Sequence, residues 1–543
     1  MTGDLPDRTR RRLLMSGAAY AATTWAGVSV FDSPLSSASA SVAGLAEAQA
    51  SQPFSFDWLT SLAQRLSAQP WLAPQPRYGE LLNRLGYETF MGIRTRPGHE
   101  LWDNSGLPFS VEFFHLDNNT RSPVEINIVD ANGQARPLTY DPGMFSYPHP
   151  ELAKALPADL GYGGFRLRDR RGDKREWLAF KGASYFRSPG SLNQYGLSAR
   201  GVGANTGVAD TETFPTFTRF WLYKPNPDDD ALTICALLEG ETMTGAYRMT
   251  CQRPGDVVMD IESRLFMRTD IQRLAIAPLT SMFWFSESNQ RAGSDWRPEV
   301  HDSDGLAMIT GQGEHIWRAL DNPPRPDYST FTDTNPRGFG LLQRDRAFDH
   351  YQDSAVSFEN RPSAWIEPKG NWGAGSVGLF EWSTTEEIYD NVNAFWVPER
   401  PATAGTAWAF DYRLSWTDES PFPDTLAQVV ATRTGRAGKP SDYDKQRATS
   451  RKFVIDFDGP AIADIDPVTQ LSIDVTPSHG MITNPYVIPV GSASGRWRAF
   501  FDWTGETPAD QEAVVLNAVL RAPDHKTLSE TWVYSYYPRA LPR

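Results

Sequence analysis

From about residue 124 onward, apolar positions recur every second residue. Val124-Glu125-Ile126-Asn127-Ile128 alternates and runs into Asp130-Ala131-Asn132-Gly133, the pattern of a half-buried strand ending in a tight turn. Tyr247, Met249 and Cys251 alternate with Arg248 and Thr250, and the rhythm continues through Phe410, Tyr412, Leu414 and Trp416. Helical spacing is scarce. Trp58, Leu59, Leu62 and Leu66 share one face of a short helix with Asp57 as its N-cap, and a second helical turn is predicted over Tyr78–Leu85, closed by Gly86. Many short strands and little helix predict a mainly β fold, with one large β-sandwich over residues 51–418. The polar, Pro-containing run 417–424 marks a boundary. Beyond it, Phe453, Ile455 and Phe457 form one face and Leu471, Ile473 and Val475 another, completed by Trp497, Phe501, Trp532, Tyr534 and Tyr536. Residues 419–543 therefore fit a smaller immunoglobulin-like sandwich, although the Cys…Trp…Cys hallmark is missing.

The first fifty residues follow a different logic. Arg10-Arg11-Arg12 stands directly before a mildly apolar stretch through Ala18, Ala22, Trp25 and Val28, which reads as a twin-arginine export signal. Ala38-Ser39-Ala40 and Ala48-Gln49-Ala50 both offer small-residue cleavage sites, so cleavage at Ala40 or at Ala50 stays open. The alternative is an uncleaved anchor; it is disfavoured because Thr23, Thr24 and Ser29 interrupt a stretch shorter than the ~20 apolar residues of a membrane span. The mature chain is expected in the periplasm. Export permits a disulfide, and a hairpin around Gly240–Gly245 would set Cys235 and Cys251 nearly opposite. A bridge and two free, buried thiols both fit this.

Composition narrows the chemistry. The chain carries 52 Lys+Arg against 66 Asp+Glu, a formal charge of −14, which argues against a nucleic-acid backbone as partner. Two cysteines exclude a disulfide scaffold and a cysteine-based metal centre, and the eight histidines show no pair at metal-ligand spacing. There is no G-x-S-x-G elbow, no H-E-x-x-H and no P-loop. Acids and aromatics remain. Nine of the 18 tryptophans lie between Trp284 and Trp416, in the stretch that also holds His301-Asp302-Ser303-Asp304-Gly305 and Glu386-Glu387-Ile388-Tyr389-Asp390-Asn391. Aromatic faces beside carboxylates suit a sugar cleft, and glycoside hydrolysis needs two carboxyls of unequal proton affinity. The same tryptophans suit a sandwich core equally well, and Asp-Ser-Asp-Gly is a common turn.

Lys181-Gly-Ala-Ser-Tyr185-Phe186-Arg187, Gln194-Tyr-Gly-Leu-Ser-Ala-Arg200, Ala277-Pro-Leu-Thr-Ser-Met-Phe283, Arg297-Pro-Glu-Val-His301-Asp302, Asn335-Pro-Arg-Gly-Phe-Gly-Leu-Leu-Gln343, Arg361-Pro-Ser-Ala-Trp365 and Leu528-Ser-Glu-Thr-Trp532 occur in this order. Together they resemble the periplasmic glucan biosynthesis family, proteins G and D, over nearly the whole mature chain; the twin-arginine signal fits the D branch. The resemblance implies a galactose-mutarotase-like sandwich before the immunoglobulin-like domain, and a role in setting the glucose backbone of osmoregulated periplasmic glucans. It further implies inverting endo-hydrolysis of β-1,2-glucan without a cofactor, with Asp390 as proton donor and Asp302 as base, acting directly or through a relay. Glu387 is then the neighbouring carboxylate that raises the pKa of Asp390. Asp304 and Glu387 are the substitutes for the two acids, and Arg361, Trp365 and Trp372 are candidate glucan contacts, each with a structural role as its alternative. One rival is a non-catalytic glucan-binding module that docks a membrane glucan synthase. A mutarotase-like epimerase is another.

Overall fold

The structure, a computed structural model, describes residues 51–538 apart from 75, 77, 85–86, 104, 171–174, 209–210, 290–294, 423–424, 440, 442–449, 492–494 and 507–511. The export signal, Leu85 and Gly86 thus lie outside the described residues, as does the end of the boundary run. Among the described residues no helix is long and apolar enough to cross a membrane.

The chain is mainly β, with its sheets in a sandwich-like arrangement. A fifteen-stranded sheet and a ten-stranded sheet enclose one large core, in which Phe180, Phe220, Met249, Leu279, Trp396 and Trp416 are buried together. The alternation read from the sequence is real at its strongest points. Strand Ala407–Thr417 buries Phe410, Tyr412, Leu414 and Trp416, because successive side chains leave opposite faces of a pleated strand. The second core contains Phe453, Ile455, Phe457, Leu471, Ile473, Trp497, Phe501, Trp532, Tyr534 and Tyr536, and it also takes in Ala307, Trp317, Leu342 and Trp365 from before residue 418. The long sheet runs across that boundary: Thr531–Tyr536 pairs in parallel with His315–Ala319.

Two local expectations change. The first helix is Phe56–Ser67 and its cap is Ser55, whose Oγ accepts from the Trp58 N–H at 3.1 Å; Asp57 falls instead in the first turn, where its charge faces the positive helix end. The buried face is accordingly Phe56, Leu59 and Ala63, while Trp58 is exposed. The hairpin Ala231–Glu239/Met243–Gln252 pairs Cys235 with Arg248 and Cys251 with Leu232. The offset of three residues sends the two thiols to opposite faces of the sheet, one against the helix Phe56–Ser67 and one into the main core. Both are free and buried, and burial pushes the Cys235 thiol up to about 12 and raises Cys251 as well. Thiol titration is therefore expected to detect neither cysteine in the native protein and both after unfolding.

Candidate functional site

The site is built around one short segment. Strand Leu274–Ser281 lies between Ser198–Arg200 and Val392–Pro398 in the ten-stranded sheet, and Ser281 is level with Val392. Just past the strand end, the Met282 carbonyl accepts the Asp302 N–H at 2.8 Å. At Phe283, the Asn391 side chain accepts the backbone N–H at 2.8 Å and donates to the carbonyl at 2.9 Å. Asn391 also donates to the Trp382 carbonyl, which closes the loop that carries Asp390. Asp302 and Asn391, the neighbour of Asp390, thus hang from adjacent residues of one segment although they are remote in sequence.

Their surroundings differ. Asp390 is half-buried, and burial raises its pKa above the usual aspartate value against the opposing charges of Arg200, Arg187 and Arg361. Arg200 is buried with its guanidinium 4.2 Å from both the Tyr185 and Phe214 rings, and its Nε has no hydrogen-bond partner. Asp302 is buried and ion-paired with Arg361. Arg361 stacks at 4.1 Å on Phe358 and is packed against Gly196, where a Cβ would come within 2.9 Å of it. Arg361 thus has the candidate base itself as its ion-pair partner.

Glu387 does not sit beside Asp390 as a charge-raising neighbour. Its Oε2 accepts from Arg297 Nη1 at 2.7 Å, and the same guanidinium donates to Asp353 at 2.9 Å and to Asp295 at 2.8 Å. Burial and not Glu387 raises Asp390, because Arg297 neutralises that carboxylate. Asp304 is also committed: its Oδ2 accepts the Arg344 and Asp345 N–H groups, closing the turn after Asp302.

Trp365 and Trp372 are corrected as glucan contacts. Trp365 is 4% exposed, lies in the second core and fills the space above Gly338 and Gly340. Trp372 is 6% exposed in the main core and donates Nε1–H to the Asp411 carbonyl. Neither offers a ring face to a ligand.

Behind Asp302 stands a buried network that sequence reasoning did not assign. His301 faces Gln343 Oε1 and Glu299 Oε2, each at 3.1 Å, while Gln343 Nε2 donates to the Tyr351 hydroxyl and the Phe358 carbonyl. Two acceptors for two ring nitrogens make His301 an imidazolium. Burial opposes that charge, but the Glu299 hydrogen bond and the charges of Asp304, Glu299 and Glu287 outweigh it and push His301 up to about 9. A cavity of about 210 Å³ adjoins this network, lined by Glu287, Glu299, Asp345, Asp349, His350 and Arg433, and it does not reach Asp302 or Asp390. Glu299, Asp345 and His350 each bring a ligand atom within 4.8 Å of the others. Asp345 already pairs with His350 and Glu299 with His301.

The family described as "Periplasmic glucan biosynthesis protein, MdoG" matches residues 54–536. "Glucans biosynthesis protein D 2" of Ralstonia nicotianae is 43% identical over 98% of this chain and 98% of its own. "Glucans biosynthesis protein D 1" of the same organism is 45% identical over 90% and 93%, and "Glucans biosynthesis protein D" of Xylella fastidiosa is 42% identical over 90% and 91%. Among solved structures, a polysaccharide lyase aligns with 69% of this chain and 44% of its own at 9% identity and a TM-score of 0.22. Matched from its first helix to its last strand, the chain belongs to the periplasmic glucan biosynthesis protein family.

Proposed function

We propose that this chain sets the glucose backbone of osmoregulated periplasmic glucans by inverting endo-hydrolysis of β-1,2-glucan, in the periplasm after twin-arginine export. The reading rests on one observation: Asp302 and Asn391, the neighbour of Asp390, are bonded to adjacent residues, with Asp302 ion-paired to Arg361 and Asp390 biased by burial toward the neutral acid. Two carboxyls driven apart in proton affinity are the requirement for acid–base cleavage of a glycosidic bond. Asp390 donates its proton to the departing glycosidic oxygen as the bond to C1 breaks. Water adds to C1 from the opposite face, and its proton ends on Asp302. Because Arg361 covers the Asp302 carboxylate, that proton travels through an intervening hydroxyl or water. Under this reading the larger sandwich is of the galactose-mutarotase type, residues 419–543 are the immunoglobulin-like domain, and the two acids need no cofactor.

The Arg361–Asp302 pair also favours a second reading, since a carboxylate tied to a guanidinium is a weaker base. In that reading the chain binds glucan without cleaving it and docks a membrane glucan synthase. Product analysis separates the two: the hydrolase shortens linear β-1,2-glucan and releases the α-anomer at each new reducing end, whereas binding without shortening supports the module.

The hydrolytic reading fixes a pH dependence. Asp390 must be protonated to act, so activity falls as pH rises through its raised native pKa. Arg200 is the largest opposing charge. Arg200→Met is expected to move that fall to higher pH, measured from kcat/KM between pH 4 and 9.

A further inference from the structure

Eleven large hydrophobic side chains are exposed among the described residues, and three of them stand on loops that frame the two acids. Leu192 belongs to the turn whose Gly190 packs against Pro362, the neighbour of Arg361. Ile388 lies between Glu387 and Asp390 on the donor loop. Trp296 precedes Arg297, whose hydrogen bond to Glu387 joins it to that same loop. Trp296 is the outlier. It is 69% exposed, while the other eight tryptophans between Trp284 and Trp416 are buried or half-buried.

An indole left in water forgoes the stabilisation that burial supplies to the rest of this group. Nor is its backbone loose. Arg297 is buried, binds Asp295, Asp353 and Glu387, and keeps its guanidinium 5.9 Å from the Trp296 ring. The result is a broad apolar face on an anchored main chain, beside a loop that ends at the candidate proton donor. A flat aromatic face matches the C–H side of a pyranose ring, and the acids and arginines of the adjoining loop offer partners to its hydroxyls.

We propose that Trp296, flanked by Ile388, is a stacking subsite that holds one glucosyl ring of the glucan at the mouth of the site, away from the bond that breaks. The assignment rests on the reading that this site takes β-1,2-glucan, and it adds where the chain is gripped and by which side chain. Because the contact is made equally before and during bond cleavage, it acts on binding and not on the chemical step.

The test uses full mature protein and linear β-1,2-glucan. Binding is measured in the Asp390→Asn background, where the ligand persists, and steady-state kinetics are measured without that change. Trp296→Ala is expected to weaken binding about tenfold and to raise KM about tenfold, with kcat within about twofold. Trp296→Phe, which keeps a ring, is expected to restore most of the affinity. Glucan binding that is unchanged by Trp296→Ala overturns the subsite and leaves the hydrolytic reading standing. Weaker binding by Trp296→Ala in a protein that never shortens glucan supports the subsite and overturns hydrolysis. No binding of the glucan by any variant overturns both.

Discussion

Asp390→Asn is expected to lower the rate of β-1,2-glucan shortening by about 10²- to 10⁴-fold while thermal stability holds or rises. The rate effect follows from chemistry: an amide has no proton of suitable acidity for a leaving alkoxide. The stability effect follows from linkage. Burial raises the Asp390 pKa in the folded protein, so the folded state binds this proton more tightly than the unfolded chain. Its stabilising contribution is complete below the unfolded aspartate value of ~3.9 and is lost as pH rises through the higher native value. Above that native value the ionised, half-buried carboxylate is a liability that asparagine removes. Product analysis and melting curves at pH 7 check both halves. A variant that keeps its activity ends the donor assignment, and one that loses activity only by melting earlier reduces Asp390 to a structural role.

How much of this was legible in the sequence depends on whether a feature is local. Strand alternation was, since the two-residue period belongs to each strand separately; Phe453, Ile455, Phe457, Trp532, Tyr534 and Tyr536 all reach one core, as their spacing required. The cysteine register was not, because it depends on how many residues the turn consumes, and an odd error reverses faces. The helix cap moved by two residues since Ser55 and Asp57 are both good caps and tertiary packing of Phe56 chose between them. At the site, Asp302 and Asp390 came from the family resemblance and could not have been paired by spacing. Counting tryptophans carries no information on exposure: Trp365 and Trp372 are core, and Trp296 is in water. Arg187 and Arg200 carried no signal at all beyond membership of the family segments. Their role exists only after Ser198–Arg200 and Tyr185–Arg187 pair in the sheet.

The second large effect concerns stability and reaches the site through the C-terminal strands. Glu530 is 1% exposed; its carboxylate accepts from Arg344 at 2.5 and 3.0 Å and from the Val429 N–H at 2.7 Å. Arg344 in turn lies 3.6 Å from the Trp317 ring, and its backbone N–H donates to Asp304, two residues after the candidate base. Glu530→Ala takes the carboxylate acceptor from a buried guanidinium and a peptide N–H, a cost of about 3–5 kcal/mol for breaking a buried pair from one side. Urea titration is expected to show that loss as a lower midpoint. By contrast, Asp474→Ala, which removes the exposed partner of Arg521, should leave the midpoint in place. Catalysis should register the change as well. With Arg344 released, the Asp304 turn loses a fixed donor, and Asp302 loses part of the frame that sets it against Arg361. kcat is therefore expected to fall in Glu530→Ala at temperatures where the protein is still folded, and to recover partly in Glu530→Gln, which keeps an acceptor for Val429. A Glu530→Ala protein that matches the wild type in both urea midpoint and kcat would mean that the C-terminal strands support the site through packing alone.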